Sequence, residues 1–176
     1  QVGRSQAHQL AQNLKLLPIR AVYSSPLERT METAAPLAAE LNLPIQVQDG
    51  LLEIDYGRWQ GRTYKQLKHT NLWKILHYEP SRVRFPGGET LEEAQCRLVT
   101  SLENIAGWHM DQDLVACFTH ADGIRLAIAH FLKLQLDDFH RLTIHPAGVS
   151  AILLGTGLPR LLYLNQTWSA QPWKDS

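Results

Sequence analysis

Apolar positions along this chain recur in two alternating periods, one of about 3.6 residues and one of about 2, so helices and strands are expected to follow one another. Ala7, Leu10, Ala11, Leu14 and Leu17 share one helical face, and Pro18 ends that helix. The run RAVYSS at 20–25 reads as a strand. Pro26 then opens a second helix in which Leu27, Met31, Ala34, Ala38 and Leu41 repeat, and Asn42 and Pro44 stop it before a strand at 45–48. Residues 50–61 read as a loop. From 63 to 78 the pattern is helical, with Leu67, Leu72, Trp73 and Leu76 as its apolar members, and this stretch is expected to lie as a cap over the rest. PSRVRFPGGET at 80–90 is a loop turned by PGG, and Thr90 with Glu93 makes a capping box for a long helix bearing Leu91, Ala94, Leu98, Leu102 and Ile105. LVACFTH at 114–120 is a strand ending at His120, after which Ile124, Ala127, Ile128 and Phe131 define another helix. A connector at 134–140 leads to apolar runs at 149–154 and 160–164, a strand pair flanking the GTGLP turn, and the tail from Asn165 reads as irregular.

Strands alternating with helices through most of the chain predict a three-layer α/β/α sandwich with a mostly parallel sheet and a short helical cap over about 62–86. Neither repeats nor a linker divide residues 1–176, so one domain is expected. Acidic and basic residues balance at 17 each and the basic residues form no run, which argues against a nucleic-acid or membrane-surface partner. No apolar stretch approaches the roughly 18 residues of a spanning helix, and the start is too polar for a secretory signal, so a cytoplasmic protein acting on a small molecule is expected. Nothing in the pattern sets an oligomeric state. Cys96 and Cys117 lack CxxC spacing and are expected as reduced core residues.

Three chemically capable side chains each fall just beyond a predicted strand: Arg29 one turn into the helix after SSP, Glu53 in the loop after the second strand, and His120 at the strand-to-helix corner. Parallel strands would bring these ends to one edge of the sheet, where ligands collect and the free N–H groups of a helix start, in this case those from Ala121 on, favour an anion. Such a trio suits phosphoryl transfer. A guanidinium grips two phosphate oxygens, an imidazole donates to a third, and a carboxyl exchanges a proton with the leaving oxygen.

The stretches SSPLERTMETA, LLEIDYGRWQG, PGGET and THADGIR, in this order and covering essentially the whole chain, resemble the histidine phosphatase superfamily, also called the phosphoglycerate-mutase-like family. The resemblance implies a phosphatase of small phosphomonoester metabolites working through a phosphohistidine, with no cofactor and no metal. Arg29 would bind the phosphoryl group with the backbone of Ala121, Glu53 would be proton donor and then base, and His120 would steady the transferring oxygens. Alanine stands at 121 where the family commonly has glycine. The family's first motif, an Arg-His-Gly triplet that carries the nucleophile at the end of a central strand, does not occur in the sequence, and the remaining histidines lie in no matching motif. The resemblance thus implies that the domain lacks its first strand, that the nucleophile lies upstream, and that these residues alone are inactive. Alternatives are a phosphoglycerate mutase, disfavoured by the short cap, and a non-catalytic phosphoester-binding module. Tyr56 and Trp59 are expected to pack under their loop, and Arg82 and Arg84 to be an exposed pair. PGGET is either a turn and cap or part of the pocket mouth. Asp122 either faces the ligand, where it would repel phosphate, or caps the helix.

Overall fold

A computed structural model describes residues 1–168. Helix α1 (Val2–Leu14) buries Ala7, Leu10, Ala11 and Leu14, and packs on α2 (Glu28–Leu41) through Ala34, Leu37 and Ala38. The helix ends before Leu17, which is exposed rather than on the core face. Pro18 disfavours helical geometry at the residue before it, so the last turn unwinds early.

Strand β1 (Ile19–Ser24) is central, with β2 (Ile45–Val47) and β3 (Leu114–Phe118) parallel on its two sides. Ser24 lies level with Val47 and with Phe118, so the carboxyl ends of these strands form one edge, from which Ser25, the 48–61 loop and His120 all emerge. Helices α1 and α2 cover one face. The other carries α5 (Leu91–Gly107), whose Leu91, Ala94, Leu98 and Ile105 are buried, and α6 (Ala121–Phe131). The expected three layers are present.

Strands β4 (Val149–Leu153) and β5 (Arg160–Gln166) pair antiparallel and form a two-stranded sheet of their own. Among the described residues, the edge of β3 away from β1 has no strand partner. Both β3 and β4 nevertheless feed the same two core layers: Val115, Cys117 and Ile152 pack into one, Ala116, Phe118 and Val149 into the other. These apolar side chains are only half-buried, whereas those of β1 are almost fully enclosed.

The cap differs from the single helix expected at 63–78. It is two short helices, α3 (Tyr64–Leu67) and α4 (Asn71–Tyr78), because Thr70 accepts the N–H of Trp73 and starts a new helix. The capping box at Thr90 and Glu93 forms as expected. Cys96 is not a core residue: it lies exposed on α5, two positions from the buried Ala94 and Leu98, while burial pushes the Cys117 thiol up to about 12. Strand β5 runs on through Asn165 and Gln166, where an irregular tail is expected; 167–168 are irregular, and 169–176 lie outside the described residues. No helix of the described residues is long and apolar enough to cross a membrane.

Candidate active site

Arg29, Glu53 and His120 meet at the carboxyl edge of the parallel sheet. Arg29 Nε donates to His120 Nδ1 at 3.1 Å, and Glu53 Oε2 lies 3.7 Å from both Arg29 Nη2 and His120 Nδ1. A guanidinium can only donate, so Nδ1 is the acceptor and the neutral ring carries its proton on Nε2, which is 3.0 Å from Ser25 Oγ. Burial, with the Arg29 and Arg97 charges, pulls His120 down to about 4. Its approach to Glu53 is therefore not an ion pair near neutrality. The ring is buried at the last position before α6, while the Arg29 side chain is about 60% exposed.

Ser25 is the pivot of this arrangement. It is fully buried; its N–H donates to Phe118 O, its carbonyl accepts from Thr30 Oγ1, and its hydroxyl meets His120. Local order at the start of α2 is thereby tied to the end of β3. The Glu53 loop is fastened from the opposite side by Arg97 of α5, which donates to Gly50 O, Leu52 O and Glu53 O and pairs with Glu89. Thr119 Oγ1 also donates to Leu51 O.

Desolvation, reinforced by the Asp122 charge, pushes Glu53 up to about 7 against the opposing pull of the Ile54 N–H, Arg29 and Arg125. A carboxyl with that value can hold a proton at neutral pH and also give it up. Protonated, it does not repel a phosphate. Around neutrality the pocket then presents one guanidinium, one neutral imidazole and one carboxyl in exchange with solvent protons, a set suited to binding an anion and protonating what leaves it.

The Ala121 N–H belongs to the first residue of α6 and has no carbonyl one turn earlier to bond; Ala121 itself has no positive φ, so alanine replaces glycine there without backbone strain. Asp122 does not cap α6, whose cap position is His120. One of its oxygens accepts from the Tyr56 hydroxyl at 2.6 Å and the other from Arg125 Nη1. Tyr56 also packs edge-on against Phe85, and Trp59 stacks on Trp73 and meets Phe85, so both rings are packing elements. PGGET forms its turn and cap, and it also clamps the Glu53 loop: Glu89 N–H donates to Asp55 O and Glu89 Oε1 accepts from Asp55 N–H. Arg82 and Arg84 are exposed and ion-paired with Glu79 and Glu93. Ser25 and Arg125 fall inside the SSPLERTMETA and THADGIR stretches without being singled out there, and Arg97 falls in none of the four. Tertiary contacts distinguish Arg97 from an ordinary helix residue. Among the described residues no cluster of three or more His, Cys, Asp or Glu could hold a metal ion.

The fold is that of an α/β sandwich with its polar groups at the carboxyl edge of the sheet, and the chain belongs to the histidine phosphatase superfamily (branch 1), whose model it matches over residues 1–167. It is 32% identical over 167 residues to phosphoserine phosphatase 1 of Hydrogenobacter thermophilus, covering 94% of this chain and 79% of that one. A 2,3-bisphosphoglycerate-dependent phosphoglycerate mutase of Thermoplasma acidophilum is 29% identical, covering 85% of this chain and 71% of its own. Among solved structures, a phosphoserine phosphatase from Entamoeba histolytica in complex with phosphoserine superposes with a TM-score of 0.83 at 24% identity, covering 93% of this chain and 82% of that chain. A mycobacterial glucosyl-3-phosphoglycerate phosphatase does so with a TM-score of 0.83 at 23% identity, covering 94% and 86%.

Proposed function

We propose that this protein is a phosphatase that hydrolyses small phosphomonoester metabolites through a phosphohistidine whose histidine lies upstream of Gln1. The observation that carries the reading is the convergence of Arg29, Glu53 and His120 within 3.1–3.7 Å of one another at the sheet edge. Membership of the family, with phosphatases among the relatives, supports hydrolysis as the reaction class.

In the first step the upstream imidazole nitrogen bonds to phosphorus, the bond from phosphorus to the substrate oxygen breaks, and Glu53 passes its proton to that oxygen. In the second, water attacks phosphorus, gives a proton to the Glu53 carboxylate, and the nitrogen–phosphorus bond breaks to release phosphate. Arg29 swings onto two phosphoryl oxygens, with the Ala121 N–H as a further donor, and His120 donates through Nε2 once Ser25 releases it. The half-buried faces of β3 and β4, which share both core layers without pairing, support placing one more parallel strand between them, and that strand would deliver the histidine to this edge. The short, broken cap favours hydrolysis over mutase chemistry, which must hold the phosphoenzyme away from water.

The test is to incubate the full chain with phosphoserine, 3-phosphoglycerate and sugar phosphates, follow free phosphate, and examine the acid-labile phosphoprotein by mass spectrometry. Phosphate release with a labile label on an upstream histidine is expected. Interconversion of phosphoglycerates without release would make it a mutase, and binding without turnover a non-catalytic module.

A further inference from the structure

The proposed reaction makes no use of the charges on the cap. Between Asp55 and Glu79 the sequence has no acidic residue and five basic ones, Arg58, Arg62, Lys65, Lys68 and Lys74, in a chain whose acidic and basic residues balance. Two of the five, Arg58 and Arg62, line a cavity of about 290 Å³. Its other walls are Trp59 of the same loop, Gln66 and Leu67 of α3, Thr70 and Pro86, and none of Arg29, Glu53 and His120 borders it. That volume is near the lower end of small-molecule sites.

Nothing in the fold neutralises this pair. Among the described residues, Arg58, Arg62 and Arg160 of β5 are the arginines with no carboxylate beside them. Asp55, the nearest acid in sequence, is engaged elsewhere: its Oδ1 accepts from the Gly57 N–H and from Gln60 Nε2. Acceptors on the cavity wall are also taken, since Thr70 Oγ1 accepts the Trp73 N–H and Pro86 O accepts the Arg58 N–H. Gln66 Oε1 serves Thr63 in the capping box of α3, which leaves the Gln66 amide N–H groups as donors. The cavity thus offers two guanidinium groups, an amide donor and the apolar surfaces of Trp59 and Leu67. One of its walls, α3, is a single turn with no buried residue, so the core does little to hold it.

We infer that this cavity is a second anion site, taking a small molecule through a phosphate group held between Arg58 and Arg62. Two positive charges match the two negative charges that phosphate carries in one group, and each guanidinium fork can engage a pair of its oxygens. The remainder of an organic phosphate lies on Trp59 and Leu67, and inorganic phosphate fills the charged part alone. Either occupant bridges the loop that carries Glu53 to α3 and so fastens the cap. The inference uses no step of the proposed reaction.

The test is a titration of the full chain carrying Arg29→Gln, which removes the guanidinium of the candidate active site and leaves the cavity intact. The probes are inorganic phosphate, chloride, and phenylphosphonate, whose carbon–phosphorus bond is not hydrolysed. Phosphate and phenylphosphonate should move the Arg58 and Arg62 Nε–Hε signals in NMR and slow deuterium exchange of the α3 amides. Arg58→Gln or Arg62→Gln, added to that chain, should weaken binding by about tenfold or more. Tighter binding of phenylphosphonate marks an organic phosphate as the occupant and equal affinity marks inorganic phosphate, and both support the site. Signals that stay still, that respond equally to chloride, or that move only while Arg29 is present overturn it, as does binding indifferent to both substitutions. The signal shifts are read with both cavity arginines in place, so they decide even if a glutamine variant fails to fold. Binding here by a chain that hydrolyses nothing would keep this site and remove the phosphatase reading.

Discussion

Arg29 and His120 constrain each other through a single bond. Because the guanidinium Nε occupies His120 Nδ1, the imidazole is held as the tautomer with its proton on Nε2, and the rest of the Arg29 fork stays available for an anion. Lysine could supply the charge but neither the fork nor the second donor direction. Arg29→Lys in the full chain is expected to lower kcat/KM for a phosphomonoester by roughly 100-fold, in line with the loss of one oriented donor to a developing anion. A loss below threefold in steady-state kinetics would show that Arg29 does not orient the phosphoryl group. Glu53 makes a different prediction. Its value of about 7 places the basic limb of kcat/KM near neutrality, since the leaving oxygen needs the protonated form. Glu53→Gln should abolish that limb and cut kcat on phosphoserine by about 100-fold or more, while p-nitrophenyl phosphate, whose phenolate leaves unprotonated, should suffer far less. Equal losses on both substrates would remove Glu53 from the proton-donor role.

At the scale of elements, the loop that carries Glu53 is held by a backbone clamp that side-chain patterns do not reveal. A Cβ on Gly88 would lie 2.1 Å from the carbonyl oxygen of Asp55, and one on Gly57, at φ +51, would lie 2.4 Å from that of Pro86. The clash is with backbone on both sides, so neither neighbour can rotate away. Gly88→Ala is expected to destabilise the fold by about 2 kcal/mol or more in urea unfolding and to lower activity with it, because the displaced segment positions Glu53. An unchanged midpoint would mean the loop has room to move. The PGG turn was legible from residue type, yet its second function, pinning the 55–57 segment, needs two stretches about thirty residues apart in contact. The break of the cap at Thr70 is a different case. Leu67 and Leu72 are five residues apart, off the spacing of one helical face, and Thr70 takes up the Trp73 N–H between them.

Across the whole molecule, the buried carboxyl and the buried imidazole pull stability in opposite directions with pH. Glu53 is raised from 4.5 to about 7, so its favourable contribution is complete below 4.5 and is lost as pH rises through 7. His120 is lowered from 6.5 to about 4, so its contribution is present above 6.5 and is lost as pH falls through 4. Replacing Glu53 with Gln should therefore leave stability near pH 4.5 almost unchanged and raise it by on the order of 2 kcal/mol at pH 8, measured by urea unfolding at both values. A variant equally or less stable at pH 8 would show that the carboxyl is not held protonated by the fold. The unpaired edge of β3 makes a second prediction at this scale. In a chain that supplies the proposed extra strand, amides of β3 and β4 should exchange with deuterium more slowly than in residues 1–176 alone, and equal rates would leave that edge free.

Order of residues alone was enough to place helices, strands and the three site groups, because each depends on local signals: period, proline and glycine stops, and a capping box that closes within four residues. It was also enough for the family, since SSPLER, LLE and THADG hold their spacing. Packing decided the rest. That Arg29 fixes the His120 tautomer, that Asp122 answers to Tyr56 instead of capping α6, and that Arg97 ties down the Glu53 loop are contacts between residues 47 to 91 apart. Such contacts exist only once three strands have aligned their ends, since hydrogen bonds and desolvation depend on distances that a linear sequence does not contain.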